Sequence, residues 1–216
     1  MMASAKRDGL PSFWTTHLAK VLSGDQPCYR QAWLQGHFNL EKRPRTDDGS
    51  LATWKANHTE MLRVETEKYR AAGWKCDVER FFRVTGQHAI ISGKADLIAQ
   101  KPDMRPRIID TKSGKERGSD ITQVLVETIL IPMAWNVPSM QFEGVVVYPH
   151  GEVIVTPKDA AELKPKLFER VKWLGMLQVK PEPSPSESTC RFCDVNDQDC
   201  PDRFVGSAPE VTTNEF

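Results

Sequence analysis

The sequence predicts an α/β sandwich with a mixed central sheet flanked by helices. Three observations carry that prediction. Apolar residues from Leu51 to Ala72 recur near helical spacing, the stretch from Lys75 to Thr111 breaks into short β-rich runs, and helical spacing returns after Asp120 before another strand pair. Helices first, then strands, then a crossing helix and further strands form layers around one sheet. With 216 residues, 39% hydrophobic and 27% charged, the chain builds one sizeable core.

Each element has its own signal. Residues 12–22 read as a short helix ending at Ser23-Gly24, and 29–38 as a second, with Cys28 at its start after Pro27. A polar, charged loop follows. Leu51, Trp54, Met61, Leu62, Tyr69 and Ala72 then mark a helix stopped by Gly73, and His58 shares their stripe. Residues 76–85, 88–92 and 94–99 read as strands with a turn at Gly86-Gln87, and 107–111 as another, behind a loop punctuated by Pro102 and Pro106. Residues 113–120 form a mobile connection, and Asp120 caps a helix carrying Ile121, Val124, Leu125, Thr128 and Ile129 on one side. Pro132 kinks or ends that helix. Residues 142–149 give a buried strand, 151–156 its hairpin partner, and 158–177 a helix with Pro165 awkwardly inside it. Pro181, Pro183 and Pro185 stiffen a linker into a cysteine-rich tail.

Charge excludes one class of behaviour. Lys plus Arg equal Asp plus Glu at 29 each, so indiscriminate electrostatic binding of nucleic acid is not expected. Local basic clusters remain: Lys42, Arg43 and Arg45 in one loop, and Lys94, Lys101, Arg105, Arg107, Lys112, Lys115 and Arg117 around two aspartates. Solvated faces also carry such runs. No apolar run has the length of a signal peptide or a membrane span, so a cytoplasmic protein without membrane contact is expected.

The chemistry centres on those aspartates. Asp96, in Gly93-Lys94-Ala95-Asp96-Leu97-Ile98, and Asp110-Thr111-Lys112, closing Arg107-Ile108-Ile109, put two carboxylates and an amine at the ends of adjacent apolar strands. Magnesium takes few protein oxygens and keeps several waters, so two carboxylates on rigid strands suffice. The lysine then neutralises charge on phosphoryl oxygens or favours an attacking hydroxide. A plain turn aspartate is the alternative for Asp96. His58 reads either as a hydrogen-bonded core histidine or as a further ligand for Mg²⁺ or Mn²⁺. Gln123 reads either as a surface amide or as a phosphate or water contact, and Glu79 as a weaker candidate for orienting a ligand.

Five cysteines in a chain of this kind point to metal ligation or buried thiols. Cys190-x2-Cys193-x6-Cys200 gathers three thiolates in a hydrophilic segment with no core of its own. Cys28 is the candidate fourth ligand, and Cys76 reads as a core strand residue. The uneven spacing favours an iron–sulfur cluster, with zinc as the alternative.

Taken in order, His58, Glu79, Gly93-Lys94-Ala95-Asp96, Asp110-Thr111-Lys112 and Gln123 resemble the motifs of PD-(D/E)XK nucleases of the RecB-like branch. Pro27-Cys28-Tyr29-Arg30 with the three C-terminal cysteines is similar to its iron–sulfur members, the CRISPR-associated exonucleases and the AddB-type nuclease domain. The resemblance covers residues 27–201. It implies a restriction-endonuclease-like core and a metal-dependent, end- or single-strand-directed DNA exonuclease. In it Asp96, Asp110, His58 and the Thr111 carbonyl hold Mg²⁺ or Mn²⁺, and Lys112 assists catalysis. Cys28, Cys190, Cys193 and Cys200 hold a structural 4Fe–4S cluster that clamps the chain ends. Helicase, CRISPR-adaptation or recombination proteins are the implied partners. Gln123 matches the family's Gln-x3-Tyr motif, but Glu127 stands where tyrosine is expected. A catalytically inactive DNA-binding or assembly module on the same fold is the alternative. The expected organisation is one nuclease domain over 1–216: a core at about 27–180, a Pro-rich linker and cluster segment at 181–203, and a flexible tail at 204–216.

Overall fold

The computed structural model describes residues 4–41, 43, 50–191 and 193–204. Its N-terminal part runs β1 (Ala5–Lys6), β2 (Ser12–Trp14), α1 (Thr15–Ser23), α2 (Tyr29–His37), β3 (Phe38–Asn39) and α3 (Ser50–Ala71). Then come β4 (Lys75–Thr85), β5 (Ile90–Gln100), β6 (Arg107–Thr111), α4 (Gly118–Ala134), β7 (Glu143–Tyr148), β8 (Gly151–Val155), α5 (Pro157–Met176) and α6 (Glu187–Arg191). The main sheet has six strands in the order β2-β5-β6-β7-β8, with β4 on β5. It is mixed because β4–β5, β5–β6 and β7–β8 are antiparallel, while β6–β7, joined through α4, and β2–β5 are parallel. β1 and β3 pair separately.

Two apolar layers sandwich the sheet. Leu18, Leu34, Ile108, Leu130, Leu167 and Leu174 anchor the larger, which unites α1, α2, α4 and α5 on one face. Leu62 and Tyr69 of α3 pack with Leu97, Ile109 and Val145 in the smaller. The mixed α/β sandwich read from the sequence is therefore the observed architecture. Among the described residues, no helix is long and apolar enough to cross a membrane.

Several local expectations are corrected. Residues 12–14 are a strand, not helix: Phe13 enters the core while Trp14 points out, an alternation too short to show as a period. Gly93 does not divide β5. A side chain there would meet Phe82 Cζ at 2.5 Å and Thr15 Oγ1 at 2.7 Å, so glycine is required for packing. Asp120 lies within the first turn of α4, where its carboxylate accepts from the Arg117 backbone N–H at 3.1 Å. α5 continues through Pro165, with Ala160 buried before the proline and Leu167 and Val171 after it, whereas α4 ends at Ala134, two residues past Pro132. α4 is also not one-sided: Val124, Val126, Leu130 and Ile131 are all fully buried. The α3 stripe fails at its amino end, where Leu51 and Trp54 are half exposed. Cys76 is partly buried against the smaller core.

The C-terminal segment returns to the N-terminal helices. Arg30 Nε donates to the Pro181 carbonyl at 2.7 Å and its guanidinium pairs with Asp202, while Trp33 Nε1 donates to the Leu177 carbonyl at 2.8 Å. Of the Lys42–Arg45 cluster, Lys42 and Arg45 lie outside the described residues, as does 205–216 of the expected tail. The Arg43 N–H donates to the Asp194 carbonyl at 3.0 Å, so Arg43 adjoins the cysteine segment.

Candidate active site

The site begins as a fork in the sheet. Along one edge of β5, β2 pairs with residues 90–92 and β6 with 97–99, so ladder pairing on that edge lapses from Gly93 to Asp96. On the other edge β4 pairs throughout except at Glu79, which faces Asp96 and has φ +51°, a left-handed conformation unusual for glutamate. At this point the strand inverts its faces. Ile91 and Ala95 pack in the larger core, whereas Leu97 and Ala99 pack under α3. Asp96 is the residue at the inversion.

Its carboxylate crosses the fork. Asp96 Oδ2 accepts from the Thr111 N–H at 2.9 Å and the Thr111 hydroxyl at 3.1 Å, which fixes the side chain against β6. His58 reaches down from α3, with Nδ1 3.2 Å from the Thr111 carbonyl oxygen and Nε2 3.7 Å from Asp96 Oδ1. A neutral imidazole donating from Nδ1 to that carbonyl leaves the Nε2 lone pair facing the free side of the carboxylate. Two acceptors facing one another are suited to sharing a cation. Trp54, one helical turn before His58, stacks on its ring with centroids 5.4 Å apart and planes 8° apart.

Asp110, the penultimate residue of β6, is 1% exposed. Its Oδ2 lies 2.8 Å from the Lys112 ammonium, a charge contact without hydrogen-bond angles, so that oxygen keeps acceptor capacity. Gln123 of α4 ties the group together: its amide donates to Asp110 Oδ1 and to Glu127 Oε1, each at 3.1 Å, and its carbonyl accepts from Lys112 at 3.3 Å. Burial pushes the Asp110 pKa up to about 7, with Lys112 pulling it down and Asp96 adding to the rise. Burial also pushes the Glu127 carboxyl well above the ordinary glutamate value, and Asp110 adds to that. Burial works against the Lys112 charge, but Asp110, Asp96 and Asp120 outweigh it and hold the ammonium above the ordinary lysine value. Both shifts are upward for different reasons: three carboxylates favour the charged lysine, whereas complete burial disfavours the charged aspartate.

A cleft of about 330 Å³ opens beside Lys112, walled by Thr16 and Lys20 of α1, Trp54 of α3, and Lys115 and Arg117 of the loop before α4. Of the seven basic residues expected around the aspartates, Lys112, Lys115 and Arg117 line this cleft. The others have structural partners or lie elsewhere: Lys101 donates to the Ala72 carbonyl, and Arg107 pairs with Glu143 at 2.7 Å. Glu79 is half exposed and pairs with Lys94 at 2.5 Å, and the Lys94 hydrogen bond holds its carboxyl below the ordinary value.

The predicted cysteines also converge. Cys28, the residue capping α2, lines one small cavity with Cys190, Cys193 and Cys200. Arg203 braces this segment, its guanidinium donating to the carbonyls of Val195 at 2.7 Å, Cys193 at 3.2 Å and Cys190. Among the described residues, no three His, Cys, Asp or Glu side chains stand ready-arranged around a single ion, at this cavity or at the fork. The donor chemistry of the two places is nonetheless distinct: carboxylates, a carbonyl and an imidazole at the fork, and four thiols beside Asp202, Gln31 and Thr189 in the tail cavity.

A mixed sheet flanked by helices, with carboxylates and a partly buried lysine at forked strand ends, is a nuclease architecture. The chain belongs to the PD-(D/E)XK nuclease superfamily, whose family model matches residues 17–200. No curated protein matches the chain. A solved structure described as the crystal structure of SSO0001 is similar at 15% identity and a TM-score of 0.47, over 88% of this chain and 86% of that one. Such a likeness is too slight to bear on function. Sequence reasoning missed the burial of Glu127 and the place of Trp54 at the mouth of the cleft. The i, i+4 spacing of Gln123 and Glu127 was the available signal for the first.

Proposed function

We propose that the chain is a Mg²⁺- or Mn²⁺-dependent deoxyribonuclease acting on single strands or ends, with a structural 4Fe–4S cluster on Cys28, Cys190, Cys193 and Cys200. One observation supports the nuclease reading above the others: Asp96 Oδ1 and His58 Nε2 face each other 3.7 Å apart, beside Asp110 and Lys112. Asp96, Asp110, His58 and the Thr111 carbonyl are the groups that would hold the ion. When bound, the ion supplies Lewis acidity at neutral pH. The chain's own residues do the rest. Lys112 keeps its ammonium beside the reacting phosphate and neutralises charge that builds on its oxygens. Gln123 fixes Asp110 and Lys112 relative to each other, and Lys115 and Arg117 bind the phosphate backbone in the cleft.

The test is cleavage of end-labelled single- and double-stranded DNA, linear and circular, by anaerobically purified protein in Mg²⁺ and in Mn²⁺. Cutting by the wild type that is lost in Asp110→Ala and Lys112→Ala is expected. DNA retained but uncut in both metals, with retention insensitive to Asp96→Ala, would instead identify a binding module. The cluster is read by colour: a brown protein bleached by Cys28→Ser is expected, and a colourless protein with stoichiometric zinc refutes iron.

A further inference from the structure

Beyond the fork, the outer face of the β2, β4 and β5 strands carries large rings in water. Trp14 is 44% and Phe81 52% exposed, and the two meet edge to face with centroids 6.2 Å apart. Their chain neighbours Phe13 and Phe82 are buried in the larger core, so both exposed rings stand on the opposite side of the sheet. Trp14 and Arg83 both oppose Ser92 in the ladders, and Phe81 opposes Lys94. Arg83 Nε donates to Ser92 Oγ at 3.4 Å, on the same face of β4 as Phe81.

This surface is continuous with the candidate active site. From Ser92 the strand runs four residues to Asp96, roughly 13 Å at about 3.3 Å per residue. Trp14 leads directly into α1, and Thr16 already lines the basic cleft. A path from Trp14 and Phe81, past Lys94 in its pair with Glu79, to Asp96 therefore offers rings first, the Arg83 guanidinium on the same face, and the carboxylates at its end.

We propose that Trp14 and Phe81 form a base-stacking platform for the unpaired segment of the DNA substrate, positioning its backbone for the fork. The proposal rests on the deoxyribonuclease reading. In a duplex the base faces are covered by one another, whereas an unpaired strand offers them to any aromatic ring of suitable exposure. Arg83 at the platform, with Lys115 and Arg117 in the cleft, complements the phosphates that accompany such bases. The platform thus gives a physical reason for preference for single strands or frayed ends.

The test uses the full chain in EDTA, so that binding is read without cleavage. Fluorescence anisotropy follows a labelled oligo-dT and an abasic deoxyribose-phosphate oligomer of equal length. Trp14→Ala and Phe81→Ala are each expected to weaken oligo-dT binding by about tenfold while leaving abasic binding unchanged. Phe81→Leu, which keeps apolar volume but removes the ring, should behave as Phe81→Ala, and Trp14→Phe should retain most of the affinity. Variants that bind oligo-dT like the wild type, or that lose both oligomers equally, overturn the platform while leaving the nuclease reading intact. A wild type that binds neither oligomer overturns the DNA reading itself. A concentration-dependent dimer dissolved by Trp14→Ala would assign the face to a second copy of the chain and overturn the platform.

Discussion

Asp110→Asn should stabilise the metal-free protein at alkaline pH while destroying its activity. In the folded chain burial raises the Asp110 pKa from an ordinary 3.8 to about 7. A carboxyl whose folded pKa lies above its unfolded value favours folding when protonated. Its contribution is fully present below about pH 4 and is lost as the pH rises through about 7. A difference of about three pH units at 1.36 kcal/mol each makes the charged form roughly 4 kcal/mol less favourable to folding at pH 8. Asparagine has the shape of the protonated acid and no charge to bury. For a chain of this size, roughly 4 kcal/mol corresponds to a rise of about 8–16 °C in Tm. Thermal unfolding in EDTA across pH 5 to 9 reads the effect: the variant's advantage should grow with pH, and excess Mn²⁺ should raise the wild type toward it. An Asn variant that melts below the wild type throughout this range would mean that the contact with Lys112 outweighs burial, and the reasoning would fail.

The same balance predicts the opposite result for the partner. Lys112→Met leaves a buried carboxylate uncompensated and should cost about 3–5 kcal/mol at pH 8, shrinking toward pH 5 where Asp110 takes up a proton; urea unfolding at the two pH values checks it. Gly93→Ala should cost about 1–3 kcal/mol, because its methyl would meet Phe82 and Thr15 and the fork would have to open; chemical unfolding measures the cost and a cleavage assay its effect on the site. Arg203→Ala removes donors from three carbonyls of the cysteine segment, at roughly 1.5–3 kcal/mol for each charged hydrogen bond, and should speed thiol labelling of Cys193 and lower retention of the proposed cluster.

Much of the candidate site was legible because its residues act through local chemistry. Asp96, Asp110-Thr111-Lys112, His58 and Gln123 are polar groups set into apolar patterns, and the structure brings them to one fork. The four cysteines likewise meet in one cavity. What stayed hidden depends on tertiary context. Three residues of β2 cannot display alternation, and Phe13, Leu18 and Val21 fit a helical spacing just as well. The face inversion at Glu79 and Asp96 leaves no compositional trace, since a positive φ at a glutamate is imposed by the strands around it. The basic residues near the aspartates in sequence were divided by the fold between cleft and scaffold, which charge counting does not foresee.

α4 explains how the site tolerates its own electrostatics. A surface helix would let Glu127 turn to water, and the cluster of carboxylates would relax by moving apart. Here Val124, Val126, Leu130 and Ile131 are buried on different sides of the helix, so its position and rotation are fixed by packing against α1, α5 and β7. Glu127 is therefore held 0% exposed with Oε2 unpaired, and the Gln123 amide bridges it to Asp110. Without a cation this arrangement is costly, because several acidic groups share a space with one lysine. The divalent ion proposed for this site would relieve that repulsion, and its binding energy would become folding energy. The apolar girdle of α4 and the carboxylates at the fork are thus two parts of one device, in which packing prevents the collapse that charge alone would favour.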